Sequence, residues 1–306
     1  MSRLAARTVI AALAAVLAAA PDRPGAADEA AVELKPTGRG AAAGGALWLG
    51  PHPSRPPRRV VTLAPSLTDV MIALGHADLI AGVTRVDRAP EVRDRPRVGG
   101  FLDPNPEAIL GLQPDLVLWI TDGGALPAVR RTAELADGRF PILAIPVVTV
   151  ADVVATARLV GEALGDPAGG AALAARMQGS LDALQARAAG LPRPRVLFVV
   201  GREPLVVAGP GSFPDELPRL AGGVNAVGGS RPWPVLPVEL AVGANPDLVI
   251  DAALDEPAAG MERLRVIPAV ARGALVRLSS DDLLRPGPRM IAALGELFRA
   301  LHPEAR

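Results

Sequence analysis

The stretches Glu107-AILGLQ-Pro114-Asp115-Leu116-Val117 and Glu239-LAVGAN-Pro246-Asp247-Leu248-Val249 obey one pattern: a glutamate, six residues, then Pro-Asp-Leu-Val. An acid opening a short apolar run and a Pro-Asp closing it describe a helix that turns into a buried strand. One such stretch is an ordinary helix-to-strand turn. Two of them, 132 residues apart and each led by the same glutamate, imply a duplicated unit. The Arg-Val strand starts at Arg59 and Arg195, 136 residues apart, keep the same rhythm.

Outward from these stretches, strands are predicted at 60–63, 79–83, 115–119 and 140–145 in the first copy, and at 195–200 and 247–250 in the second. Ser66-Leu67-Thr68-Asp69 and Ser212-Phe213-Pro214-Asp215 follow the first strand of each copy. Both carry the Ser-x-x-acid signature of a reciprocal helix cap. Gly75 is placed to end the first of these helices in a left-handed cap. Strand and helix in alternation imply parallel sheets covered by helices. Between the copies, residues 167–189 carry no strand signal, and Leu173, Met177, Leu181 and Leu184 recur at helical spacing until Gly190 and Pro192 stop the run. The fold class is α/β: two similar Rossmann-like lobes with parallel sheets, joined by a single long α-helix. The divisions fall at 58–166 for the N-terminal lobe, 167–190 for the connecting helix and 191–306 for the C-terminal lobe.

Ahead of the lobes, residues 28–57 read as a flexible leader with room for a short strand at 46–49. Residues 1–27 read as a secretory signal peptide. Arg3 and Arg7 give its basic start, positions 9–20 its apolar run, and Gly25-Ala26-Ala27 its small residues. That run is shorter than the roughly 20 residues that span a bilayer. The chain has no cysteine, hence neither a disulfide nor a thiol to carry a lipid anchor, and the expectation is a periplasmic protein, monomeric and free in solution. Half of its 306 residues are hydrophobic and its formal net charge is zero, so a core can be built and nucleic acid is not a partner.

Enzyme signatures are missing. There is no G-x-S-x-G elbow, and Gly209-Pro210-Gly211-Ser212 completes neither a dinucleotide fingerprint nor a phosphate loop. His52, His76 and His302 are scattered, and there is no tyrosine, so neither a catalytic centre nor a resident metal or cofactor is expected. The loops after the strands remain, where open parallel sheets bind ligands. They hold Arg85, Phe101, Thr121, Gly123 and Arg202, while Trp233 stands between two prolines. Its indole could cover a flat ligand or plug the junction of the lobes. Glu107 and Glu239 suit the helix macrodipole, a contribution of about 0.3–1 kcal/mol, yet their repetition in both lobes points to a shared surface role.

Specific runs go further: Arg58-Arg59-Val60-Val61-Thr62-Leu63-Ala64-Pro65-Ser66, then Val98-Gly99-Gly100-Phe101-Leu102-Asp103-Pro104-Asn105-Pro106-Glu107, Pro114-Asp115-Leu116-Val117-Leu118, Pro232-Trp233-Pro234 and Arg285-Pro286-Gly287-Pro288-Arg289. In this order and spacing they resemble the periplasmic binding proteins for vitamin B12 and ferric siderophores, and Trp233 with Pro286-Gly287-Pro288-Arg289 resembles the cobalamin-binding branch. The resemblance implies a substrate-binding protein of an ABC importer that carries a cobalt corrinoid or another metal chelate between its lobes. By the same resemblance Ser66 lies in the ligand site, Phe101 stacks on the corrin, and Asp281 and Arg285 belong to a loop that closes over it. Glu107 and Glu239 would pair with arginines on the importer's two transmembrane subunits. Val86, Ala89 and Thr121 stand where the B12 binder has aromatic residues. A ferric siderophore carrier shares this fold, and a chelatase-like enzyme shares the two-lobed architecture.

Overall fold

The computed structural model describes residues 45–121, 126–254 and 260–305; the signal region 1–27, the leader up to residue 44 and Gly123 lie outside them. The first half runs β1 (Leu47–Leu49), β2 (Val60–Thr62), α1 (Pro65–Ala73), β3 (Ile80–Gly82), α2 (Pro106–Gly111), β4 (Leu116–Thr121), α3 (Leu126–Ala136) and β5 (Ile142–Pro146). Helices α4 (Val150–Leu164) and α5 (Pro167–Ala188) follow. The second half is β6 (Arg195–Arg202), β7 (Leu205–Val207), α6 (Phe213–Leu220), β8 (Val224–Asn225), α7 (Val238–Gly243), β9 (Leu248–Asp251), α8 (Met261–Leu264), α9 (Pro268–Ala271), β10 (Leu275–Arg277) and α10 (Pro288–Leu301).

Each half builds one sheet. The first has the order β1-β5-β4-β2-β3; in the second, β10-β9-β6 continues to β7, and β8 also pairs with β6. Without the antiparallel strands β1 and β7, the two orders coincide as β3-β2-β4-β5 and β8-β6-β9-β10, all parallel. The registers coincide too, with Val60 opposite Leu116 and Val196 opposite Leu248.

Hydrogen bonds explain why the repeated Pro-Asp-Leu-Val stretches fold alike. Asp115 accepts from the backbone N–H groups of Arg58 and Arg59, each at 2.8 Å, and Asp247 accepts from that of Arg195 at 2.8 Å. The arginines answer across the same corner: Arg59 donates to the Leu112 carbonyl at 2.7 Å and Arg195 to that of Ala244 at 2.9 Å. Gln113 and Asn245 make the turn between helix and strand at φ 49° and 43°. The aspartate thus supplies acceptors to strand-entry N–H groups that no ladder partner reaches.

Parallel strands are buried on both faces, and the side chains alternate accordingly. Val61, Leu63, Val117 and Trp119 pack outward beneath α2 and α3, and Leu197, Val199 and Val249 do the same in the second half. The opposite faces share one larger core, in which Val60, Leu118, Val196, Phe198 and Ile250 join Leu67, Val160, Leu181, Leu217 and Phe298 from helices of both halves. Helix α5 packs on α4, where a Cβ at Gly161 would come within 2.6 Å of Gly170 Cα, so no larger residue fits the crossing.

Two expected caps do not form. Pro65 takes the first helical position of α1, the N-cap is Ala64, and Ser66 falls inside the helix with no capping bond. Ser212 does precede α6, yet its hydroxyl donates back to the Gly209 carbonyl at 2.8 Å, and Asp215 accepts from Asn225 instead. The working capping box is Thr149 with Asp152, at the start of α4, a helix absent from the sequence reading. Among the described residues no helix is long and apolar enough to cross a membrane.

Candidate functional site

In each sheet the strand order reverses direction beside the first strand, between β2 and β4 and between β6 and β9, and ligands of such sheets bind beyond the carboxyl ends at that point. The first half leaves small hydroxyl groups there. Thr62 and Thr68 hydrogen-bond each other at 2.6 Å, and Ser66, inside α1, and Thr121, at the end of β4, are buried. Around them, Arg85 follows β3 with its backbone N–H on the Gly99 carbonyl at 2.8 Å and its guanidinium on Asp103 at 2.8 Å. Gly100 is what makes room for this, since a Cβ there would strike the Arg85 guanidinium. Phe101 is the next residue, half-buried against the cores on both faces of the sheet.

The second half fills the corresponding place. Arg202 at the end of β6 and Asp251 at the end of β9 form a two-bond pair, Nε to Oδ1 at 3.0 Å and Nη2 to Oδ2 at 2.9 Å, with both side chains 0% exposed. Arg202 also donates to the Ala253 carbonyl at 2.6 Å. Its guanidinium is therefore held at the strand ends of the sheet. Desolvation makes such a charge costly unless it is paired this completely.

Trp233 extends the same sheet at its edge. Its neighbours Pro232 and Pro234 accept from Gly209 and Val207 at 2.9 and 3.2 Å, which fixes the backbone on both sides of the indole. The ring is half-buried against the shared core. Prolines suit this position, because they occupy a strand edge without wasting a donor.

The halves meet at a third place. Gly287 lies against Ser66, and Arg289 Nε is 3.3 Å from Asp69 Oδ1, joining the start of α10 to α1. Arg285 holds Asp281 at 2.8 Å beside them. Burial pushes the Asp69 carboxyl up to about 6, against the pull of Arg289 and Arg285. Burial pushes Asp87 up as well, opposed by its hydrogen bonds from Thr84. Sequence reading had given Asp69 to a cap and Arg289 to a family run, and had left Asp87 unremarked. Only the fold brings these three together.

Glu107 and Glu239 occupy the same place in their halves, the first turns of α2 and α7. Each helix runs down into the amino end of its strand, so each glutamate lies toward the carboxyl-end side of its sheet. Both are exposed, and among the described residues neither pairs with a cation. Among the described residues, too, no group of three or more His, Cys, Asp or Glu side chains is placed to hold a metal ion.

Comparison with known proteins gives a consistent picture. The sequence model of the family described as "Periplasmic binding protein" matches residues 60–280. A cobalamin-binding protein of Halobacterium salinarum is 31% identical over 268 residues, spanning 80% of this chain and 70% of the relative. A vitamin B12-binding protein of Vibrio vulnificus is 26% identical over 246 residues, 79% of this chain and 89% of the relative. Among solved structures, the periplasmic heme-binding protein BhuT in complex with two hemes superposes with a TM-score of 0.70 at 28% identity, covering 81% of this chain and 99% of its own.

Proposed function

The chain belongs to the periplasmic binding protein family, and from that premise we propose that it is the substrate-binding protein of an ABC importer and carries a cobalt corrinoid. The relatives named for cobalamin and for heme both fit the fold, so the choice of ligand rests on the metal. Heme iron takes an axial side chain such as Tyr or His. This chain has no tyrosine and no cysteine. His52 lies against the Trp48 ring with centroids 4.8 Å apart, His76 holds Asp166 at 3.1 Å, and His302 is buried on the Ala221 carbonyl at 3.0 Å. His76 and His302 are held within the fold and His52 stands exposed between β1 and β2, and this shortage of axial ligands is the observation that supports the reading. A corrinoid's cobalt arrives with ligands on both faces of its ring and asks the protein only for apolar faces and edge hydrogen bonds.

Phe101 and Trp233 would supply such faces, one from each half. Arg85, Asp281 and Arg285 would meet the ring's polar side arms, with Ser66, Thr121 and Gly123 in the first-half wall. Glu107 and Glu239, exposed and equivalent, would dock the loaded protein on the two transmembrane subunits of the importer through arginines. The apolar run at 9–20 supports export to the periplasm.

Calorimetric titration of the chain with cyanocobalamin, dicyanocobinamide, hemin and a ferric siderophore tests the ligand. Binding of the two corrinoids with no heat from hemin is the expected outcome. A preference for hemin would replace the corrinoid with heme, and heat from the siderophore alone would make this a siderophore carrier.

A further inference from the structure

Where α1 meets the segment 281–289, four carboxylates and two guanidinium groups share one seam between the halves. Asp69, on α1, is 6% exposed; its Oδ1 faces Arg289, while Oδ2 is buried with no hydrogen-bond partner. Arg289 is also 3.8 Å from Asp282, and its side chain is 46% exposed, so it is shared and partly hydrated. Arg285 is held by Asp281 at 2.8 Å. Asp87, in the loop after β3, is buried, accepts from the Thr84 backbone and hydroxyl, and adds its charge to that of Asp69. A Cβ at Gly287 would sit 3.2 Å from Ser66 Cβ, so the segment is in van der Waals contact with α1, and any separation there hydrates Asp69.

A buried carboxylate whose only facing cation is shared and partly hydrated carries a costly charge, and protonation removes that charge. We propose that Asp69 is a proton-operated latch between the halves: its neutral carboxyl seats the 281–289 segment on α1, and its ionised form unseats it.

The direction follows from linkage. Seated, the Asp69 carboxyl is pushed up to about 6, chiefly by burial, with Arg289 and Arg285 opposing and Asp87 and Asp282 adding to the rise. Unseated, it is hydrated and titrates near its ordinary value of about 3.9. Between these values the seated form holds a proton that the unseated form has lost. Unseating therefore grows about tenfold per pH unit from roughly pH 4 to 6 and levels off above, a total near a hundredfold. The segment carries Asp281 and Arg285, so under the proposed function acid would hold the ligand more firmly. That consequence rests on the corrinoid reading; the latch does not.

Hydrogen–deuterium exchange of the ligand-free chain, corrected for intrinsic rates between about pH 4.5 and 8, reads the latch directly. Corrected exchange in α1 and the 281–289 segment should climb with pH and break near 6. Asp69→Asn should abolish the break and hold exchange at its low-pH level. Arg289→Gln should move the break upward and Asp87→Asn downward, because Arg289 lowers and Asp87 raises the affinity of Asp69 for its proton. Loss of fold in Asp69→Asn would leave these two opposite shifts to decide the matter. A flat wild-type profile, a break unchanged in Asp69→Asn, or shifts of the wrong sign would overturn the proposal. Since no ligand is present, its failure would leave the choice of ligand untouched.

Discussion

Arg202 and Asp251 teach the most at the level of single residues. An arginine closing a strand reads from the sequence as a residue of the loops where ligands bind, and nothing near it in sequence names a partner. Its partner stands 49 positions away at the end of a neighbouring strand, and both side chains are sealed from water. Removing Arg202 leaves Asp251 charged and buried with Arg277 3.8 Å away as its remaining cation, which costs up to about 3–5 kcal/mol. Arg202→Met should therefore lower unfolding free energy by that amount in a denaturant titration, and Arg202→Met with Asp251→Leu should recover much of it. Trp233 behaves differently because it is only half-buried. If it covers the ligand, Trp233→Ala should weaken corrinoid binding by roughly 1–3 kcal/mol and barely move the melting temperature. Unchanged affinity with a strongly lowered melting temperature would make the indole a plug between the halves.

At the level of elements, the repeated corner was legible because its parts are contiguous: a short helix, a turn and a strand within eleven residues of each other. The structure adds the physical reason for its aspartate. Asp115→Ala strips acceptors from two strand-entry N–H groups and should cost about 1–3 kcal/mol. Asp247→Ala strips one, so its loss should be smaller when the two variants are melted side by side. What stayed illegible was local chemistry overruled by a neighbour. Pro65 seized the first helical position and pushed Ser66 past the cap, freeing Asp69 to face the other half. Helix α4 was missed although Thr149 and Asp152 carry the capping signature, because its apolar residues blend into the long helical run that follows. Ser66, Arg285 and Arg289 could be named from family runs, but no spacing in the sequence places them on one seam.

For the whole molecule, the two glutamates are the features that face outward. They hang on equivalent helices and take no part in either core, so Glu107→Arg with Glu239→Arg should leave melting temperature and ligand affinity nearly intact. Uptake through the importer should be abolished, and the defect in docking should lessen with salt, since exposed charges are screened over about 8 Å at physiological ionic strength. Normal uptake by that double variant would end the docking reading. The interior has a consequence of its own. The largest buried cluster takes side chains from both sheets and from helices of both halves, while each half also closes a smaller cluster of its own. Heat or denaturant that loosens one half strips cover from the other. A chain cut between the halves should therefore give two fragments that each bury their own smaller cluster but expose their share of the larger one.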